Sequence, residues 1–128
     1  MPTKVLSVIA TAYRATIEEQ DDTILWLTHM LETAGLDMTI LLRSNAVNYA
    51  VRGQDASGLR FGKLEVLHPP TLDADLAALL DHHVPVYYVA DDARGLGIAP
   101  SSVIDGVQSV VADELPSLFE HYDQVWFW

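Results

Sequence analysis

Residues 4–10, Lys4-Val5-Leu6-Ser7-Val8-Ile9-Ala10, are apolar at nearly every position and rich in β-branched side chains. A run of that kind reads as a strand buried on both faces, the usual condition inside a parallel sheet. A polar turn, Thr11–Arg14, follows it. From about residue 15 to residue 34, Ile17, Ile24, Leu27, Met30, Leu31 and Ala34 then recur at helical spacing. Glu18, Glu19, Gln20, Asp21 and Asp22 make the early part of this helix acidic, which suits the positive end of its dipole, and Gly35 ends it. Asp37-Met38-Thr39-Ile40-Leu41-Leu42-Arg43 is a second apolar strand. Strand, long helix, strand is a βαβ unit, whose crossover is right-handed.

The rest of the chain repeats the alternation. Ser44 or Asn45 caps a short helix through about Arg52, and the stretch Gly53–Gly62, with Gly53, Gly58 and Gly62, is a surface loop. Leu64-Glu65-Val66-Leu67 reads either as a short strand or as the approach to His68-Pro69-Pro70. Thr71 caps a helix from Leu72 to about His82 with Leu72, Leu76, Leu79 and Leu80 inward. Val84–Ala90 is another buried strand, with Pro85 near its start where a missing N–H is tolerated. Asp91–Pro100 is then a polar, glycine-bearing loop, and Ser101-Ser102 open a helical turn that ends near Gly106. A short strand at 107–111, a helix at 112–122 with Leu115, Leu118 and Phe119 inward, and a strand at 124–128 complete the chain. One α/β domain over residues 1–128 is expected, three-layered, with a mainly parallel sheet of about five strands. The strand order is not legible from the pattern.

Composition narrows the function. Half of the 128 residues are hydrophobic and 20% are charged, enough for a real core. The formal charge of −11 opposes nucleic-acid backbones and anionic membranes as partners. No residue is cysteine, which excludes disulfides, zinc–thiolate and iron–sulfur sites and any thiol nucleophile. No apolar run approaches the roughly 18 residues of a membrane span. Met1-Pro2-Thr3-Lys4 runs into the first strand without the pattern of a secretory leader, so a cytoplasmic location is expected.

In open parallel sheets, ligands sit beyond the carboxyl ends of the strands. Thr11–Arg14, Ser44–Asn48 and Asp91–Gly97 leave such ends. In the last, Asp91 and Asp92 are followed by Arg94 and by Gly95 and Gly97. Paired carboxylates can work as acid and base or bind a metal, but two adjacent aspartates without a third oxygen ligand are poor metal chemistry. The simpler reading has them cap a turn and pair with Arg94. His82-His83 point about 100° apart on a helix and do not chelate one ion, so they read as a helix end. His29, His68 and His121 stand alone in the sequence. There is no G-x-S-x-G elbow, no G-x-G-x-x-G after the first strand and no phosphate-binding lysine loop, and Gly95-Leu96-Gly97 follows the wrong strand. Neither a metal nor another cofactor is expected.

Three stretches, in order along the chain, resemble the DsrE/DsrF-like sulfur-relay family. Val47-Asn48-Tyr49-Ala50-Val51-Arg52-Gly53-Gln54-Asp55 is similar to the family's helix after the second strand, its RGQD ending especially to the DsrF/TusC branch. Val86-Tyr87-Tyr88-Val89-Ala90-Asp91-Asp92-Ala93-Arg94-Gly95-Leu96 matches the family's strand, sulfur-carrying loop and following turn. Tyr122-Asp123-Gln124-Val125-Trp126-Phe127 is similar to its closing D-x-V-x-x-F strand. The resemblance implies a parallel α/β domain assembled as trimers or two-layer hexamers. In active members a persulfide forms on a cysteine at the strand end that corresponds to Tyr88–Asp91. Tyr88, Asp91, Asp92 and Arg94 would then face a pocket beside Tyr13, Arg14, Ser44 and Asn45. A persulfide needs a thiolate, which this chain lacks. Cysteine-free members serve as partner subunits.

The leading expectation is therefore a non-catalytic accessory or structural subunit related to sulfur-relay complexes. Its expected partners are further copies of itself, as a trimer or hexamer, and Cys-bearing DsrE-like proteins. The alternative is a small independent enzyme or ligand-binding protein that uses Asp91, Asp92 and Arg94, with His68 or a histidine of the 82–83 pair. Self-association is also expected from apolar surplus: Leu59, Phe61 and Leu64 in or beside a loop, and Trp126, Phe127 and Trp128 in an aromatic run.

Overall fold

A computed structural model of the chain describes residues 2–11, 23–54, 60–65 and 72–128. Strand β1 (Lys4–Ile9) leads to helix α1, described over Thr23–Thr33, then to β2 (Asp37–Leu42) and a 3₁₀ segment, Ser44–Ala50. A two-residue hairpin, β3 (Arg60–Phe61) and β4 (Leu64–Glu65), precedes α2 (Leu72–Asp81) and β5 (Val86–Val89). Then come α3 (Ala90–Gly95), a 3₁₀ turn at Pro100–Ser102, β6 (Gln108–Val110), a second turn at Ala112–Glu114, α4 (Leu115–Phe119) and β7 (Gln124–Phe127). The main sheet has the order β6-β5-β2-β1-β7, and every neighbouring pair in it is parallel.

The near-continuous apolar runs are explained by burial on both sides. Alternate residues of each strand enter different clusters. Ile9, Ile40, Leu42, Val86 and Tyr88 face α1, α2 and the segment 44–50, whereas Leu6, Val8, Leu41 and Val89 face α4. Gly35 closes α1 at φ +104°, a conformation that glycine adopts without the clash a Cβ would bring.

Several expectations are corrected. In α1, Leu25 and Thr28 are buried, while Trp26 and Met30 are 52% and 46% exposed, so Met30 does not face the core. Leu25 and Thr28 lie on the buried face, and the partly buried Glu32 on the same side accepts the Met38 N–H through its carboxylate. The stretch after β5 is not a loop at its start. Helix α3 runs straight out of the strand, with Asp91 and Asp92 in its first turn, Arg94 in its last and Ala93 buried. The helix expected at 112–122 is a 3₁₀ turn followed by the five-residue α4, with Pro116 in its first turn. Ile17 and the acidic run 18–22, Leu59, the 66–67 part of the possible strand and the Thr71 cap lie outside the described residues.

The aromatic run divides. The Trp128 indole packs on the core beside α1 and α2, and its Nε1–H donates to the buried Ser7 Oγ at 2.8 Å. Phe127, at 66% exposure, points into solvent, as Leu64 does.

Candidate functional site at the strand ends

The carboxyl ends of β2, β5 and β6 lie side by side, which brings residues 43–45, 90–94 and 111–112 to one edge of the sheet. β5 and β6 are neighbours whose outgoing chains part: Ala93 of α3 joins the cluster under α1 and α2, and Leu115 of α4 joins the other. Such a divergence opens a crevice where parallel α/β proteins hold ligands. Here Asp91 spans it, its Oδ2 accepting the Ala112 N–H at 2.8 Å. Asp92 reaches the other way, and its Oδ2 accepts the Ser44 N–H at 2.7 Å.

Each carboxylate thus caps a 3₁₀ turn on a neighbouring element. Sequence reasoning gave the first of those caps to Ser44 or Asn45. The residue in the capping position is Arg43, which makes no side-chain cap bond, and Asp92 supplies the acceptor from across the sheet. The correction has a conformational cause. Ser44 sits at φ +51°, left-handed backbone that costs a non-glycine residue roughly 1–2 kcal/mol. The strong acceptor on its N–H holds it there.

The remaining candidates are distributed as follows. Arg94 Nη1 lies 3.5 Å from Asp91 Oδ1, with the two side chains 75% and 44% exposed, a surface pair of little energetic weight. Asn45 is exposed, and its carbonyl accepts the Asn48 amide. Tyr88 is buried in the core facing α1 and α2, in register with Leu42 and Ser109. Tyr13 and Arg14 lie outside the described residues. Ser44, Asn45, Asp91, Asp92 and Arg94 therefore share one edge, while Tyr88 belongs to the body of the sheet.

The other resembling stretches also fasten the fold. Arg52 donates through Nε to the Val103 carbonyl at 2.9 Å and through Nη2 to Asp105 at 2.6 Å. Gln54 Nε2 donates to the carbonyls of Asn48 and Val51, which lie at the end of the 44–50 segment. Gly53, at φ +79°, gives its N–H to Asp73 of α2. Asp123 accepts the Lys4 N–H at 2.8 Å and returns its own N–H to the Lys4 carbonyl, locking β7 to the start of β1.

Sequence reasoning missed two features. Tyr49, fully buried, directs its hydroxyl to the Thr11 carbonyl at the exit of β1, a long contact of 3.5 Å. His29 and His82, 53 positions apart, meet across α1 and α2 with ring centroids 4.8 Å apart. Only the packing of the two helices brings that pair together, and no local spacing signals it.

An all-parallel five-stranded α/β sheet with its candidate site at one edge defines the class of protein. Solved structures agree. The chain superimposes on the YchN protein from E. coli with a TM-score of 0.73 and 24% identity over 100% of both chains. It superimposes on MTH1491, a protein of unknown function from Methanobacterium thermoautotrophicum, with a TM-score of 0.58 and 15% identity over 95% of this chain and 96% of that one. These likenesses give the fold, the DsrE/F-like α/β fold. Neither a protein-family model nor a curated protein sequence matches the chain.

Proposed function

We propose that this chain is a DsrE/F-like protein without sulfur-transfer activity of its own, an accessory or structural subunit that associates with further copies of itself and with Cys-bearing chains of the same fold. The supporting observation lies at the strand end where the resembling family keeps its thiol. Residues 88–91 stand there without a thiol, and Asp91 and the following Asp92 each accept a backbone N–H of a neighbouring turn through one carboxylate oxygen. A group so engaged acts as a brace. Thioethers, the only sulfur groups of this chain, cannot carry a persulfide.

The exposed apolar side chains support association. Trp26 and Met30 on α1, Leu64 in the hairpin and Phe127 on the edge strand β7 all stand in water in the single chain. Large apolar groups left in solvent mark contact surfaces. Multi-angle light scattering tests the first part: a mass of three or six copies is expected, and 14 kDa at micromolar concentration would refute self-association. Incubation with a persulfide donor tests the second, with an unchanged mass expected and a gain of one sulfur atom against it.

A further inference from the structure

The groove between α1 and α2, about 160 Å³, lies away from the strand ends. Its walls are apolar through Leu25, Trp26, Ala78 and Leu79, and it is also lined by His29, His82 and Asp75. We infer that these two histidines form a chelating site for a borderline divalent cation such as Ni²⁺, Cu²⁺ or Zn²⁺, with solvent completing its coordination. The inference is independent of the accessory role and departs from the expectation of a metal-free protein.

Geometry is the first argument. A cation about 2.1 Å from an imidazole nitrogen lies about 3.2 Å from the ring centroid. Two such rings at metal-ligand angles of roughly 90–110° have centroids about 4.5–5.2 Å apart. The 4.8 Å separation of His29 and His82 falls inside that window. The rings are tilted by 54° and are not stacked face to face.

Rigidity is the second. His29 stands in the middle of α1. His82 follows α2 directly, its N–H donating to the carbonyls of Ala78 and Leu79. His83 then turns left-handed at φ +64°, and the Val84 N–H closes the end on Leu79. Both imidazoles are thus carried on backbone held by helical hydrogen bonds, so chelation has only their side-chain rotamers left to order.

Charge and ligand type decide which ligand is taken. Imidazole selects nickel, copper and zinc over magnesium or calcium. A net charge of −11 attracts cations and repels anions that would otherwise suit a pair of histidines. Among the described residues no group of three or more His, Cys, Asp or Glu is placed to form a cage, so the site is an open, two-ligand one of micromolar rather than nanomolar affinity.

Isothermal calorimetry with NiCl₂ and ZnCl₂ on the whole protein tests it. One ion per chain is expected with either salt, at micromolar affinity. His29→Gln and His82→Ala are each expected to weaken binding about tenfold or more, and the double variant little further, because chelation needs both rings. His83→Ala, whose side chain is exposed one position away, should leave binding unchanged. Quenching of Trp26 emission by Cu²⁺ gives a second signal, which Trp26→Phe removes without removing the heat of binding. His82 is exposed, so its variant keeps the fold, and an unchanged circular dichroism melt checks this. Absent micromolar binding, binding insensitive to His82→Ala, or equal losses with His83→Ala would each overturn the site.

Discussion

Replacing Asp92 by alanine removes a carboxylate that accepts the Ser44 N–H at 2.7 Å, a short, charge-assisted bond. Hydrogen bonds to charged groups contribute about 1.5–3 kcal/mol, and loss of a capping side chain costs about 0.5–2 kcal/mol. Asp92 is half-buried and Ser44 is exposed, so water takes over part of the lost bond. Those conditions place the expected cost near 1–1.5 kcal/mol, a fall in Tm of about 3–6 °C for a chain of this size. Asp92→Asn keeps a neutral acceptor and should cost roughly half as much. Urea unfolding at 25 °C with matched m-values measures the difference. The sign is decisive. Carboxylates held together for acid–base or metal chemistry are kept at the expense of stability, so removing one stabilises the fold. A variant as stable as the parent, or more stable, would refute the bracing role.

Other perturbations follow from the same contacts. Burial raises the pKa of the Tyr122 phenol above its usual 10.0, with Tyr87 and Asp37 adding to the rise and a hydrogen bond with Thr39 opposing it. The folded state therefore holds this proton more firmly than the unfolded state. The contribution is fully present below pH 10 and is lost as pH climbs through the folded value, so Tyr122→Phe should flatten the alkaline fall in stability, and parallel unfolding curves for the two proteins would count against it. Arg52→Lys removes the planar fork that joins Val103 and Asp105 and should cost about 1 kcal/mol, whereas Asp105→Ala, at a highly exposed partner, should cost less than about 0.5 kcal/mol in the same assay. Ser7→Ala leaves the Trp128 indole N–H without its acceptor beside a buried position, for a loss of about 1–2 kcal/mol by chemical unfolding.

How much of this was legible in the sequence depended on the range of the interaction. The strands at 4–9, 37–42 and 86–89 were readable because burial on both faces leaves no polar alternation to interpret. Helix α3 went unrecognised, although Asp91 and Asp92 at its start, Arg94 at its end and Gly97 beyond it are the local marks of a short helix. Its six residues were too few for periodicity to register. The phase of α1 depended on partners from β2 and α2, which no window within the helix contains. Ser44, Asn45, Asp91, Asp92 and Arg94 could be placed after strands from the sequence, whereas the bonds from Asp91 to Ala112 and from Asp92 to Ser44 required the strand order. The same limit hid His29 and His82, whose proximity depends on helix packing.

Native mass spectrometry of the complex purified from its own host under gentle conditions tests the accessory role most directly. A mixed oligomer is expected, containing this chain together with a Cys-bearing chain of the same fold, with any transferred sulfur found on that chain. Recovery of this chain without any such partner, across growth conditions in which Cys-bearing chains of that fold are present, would contradict it.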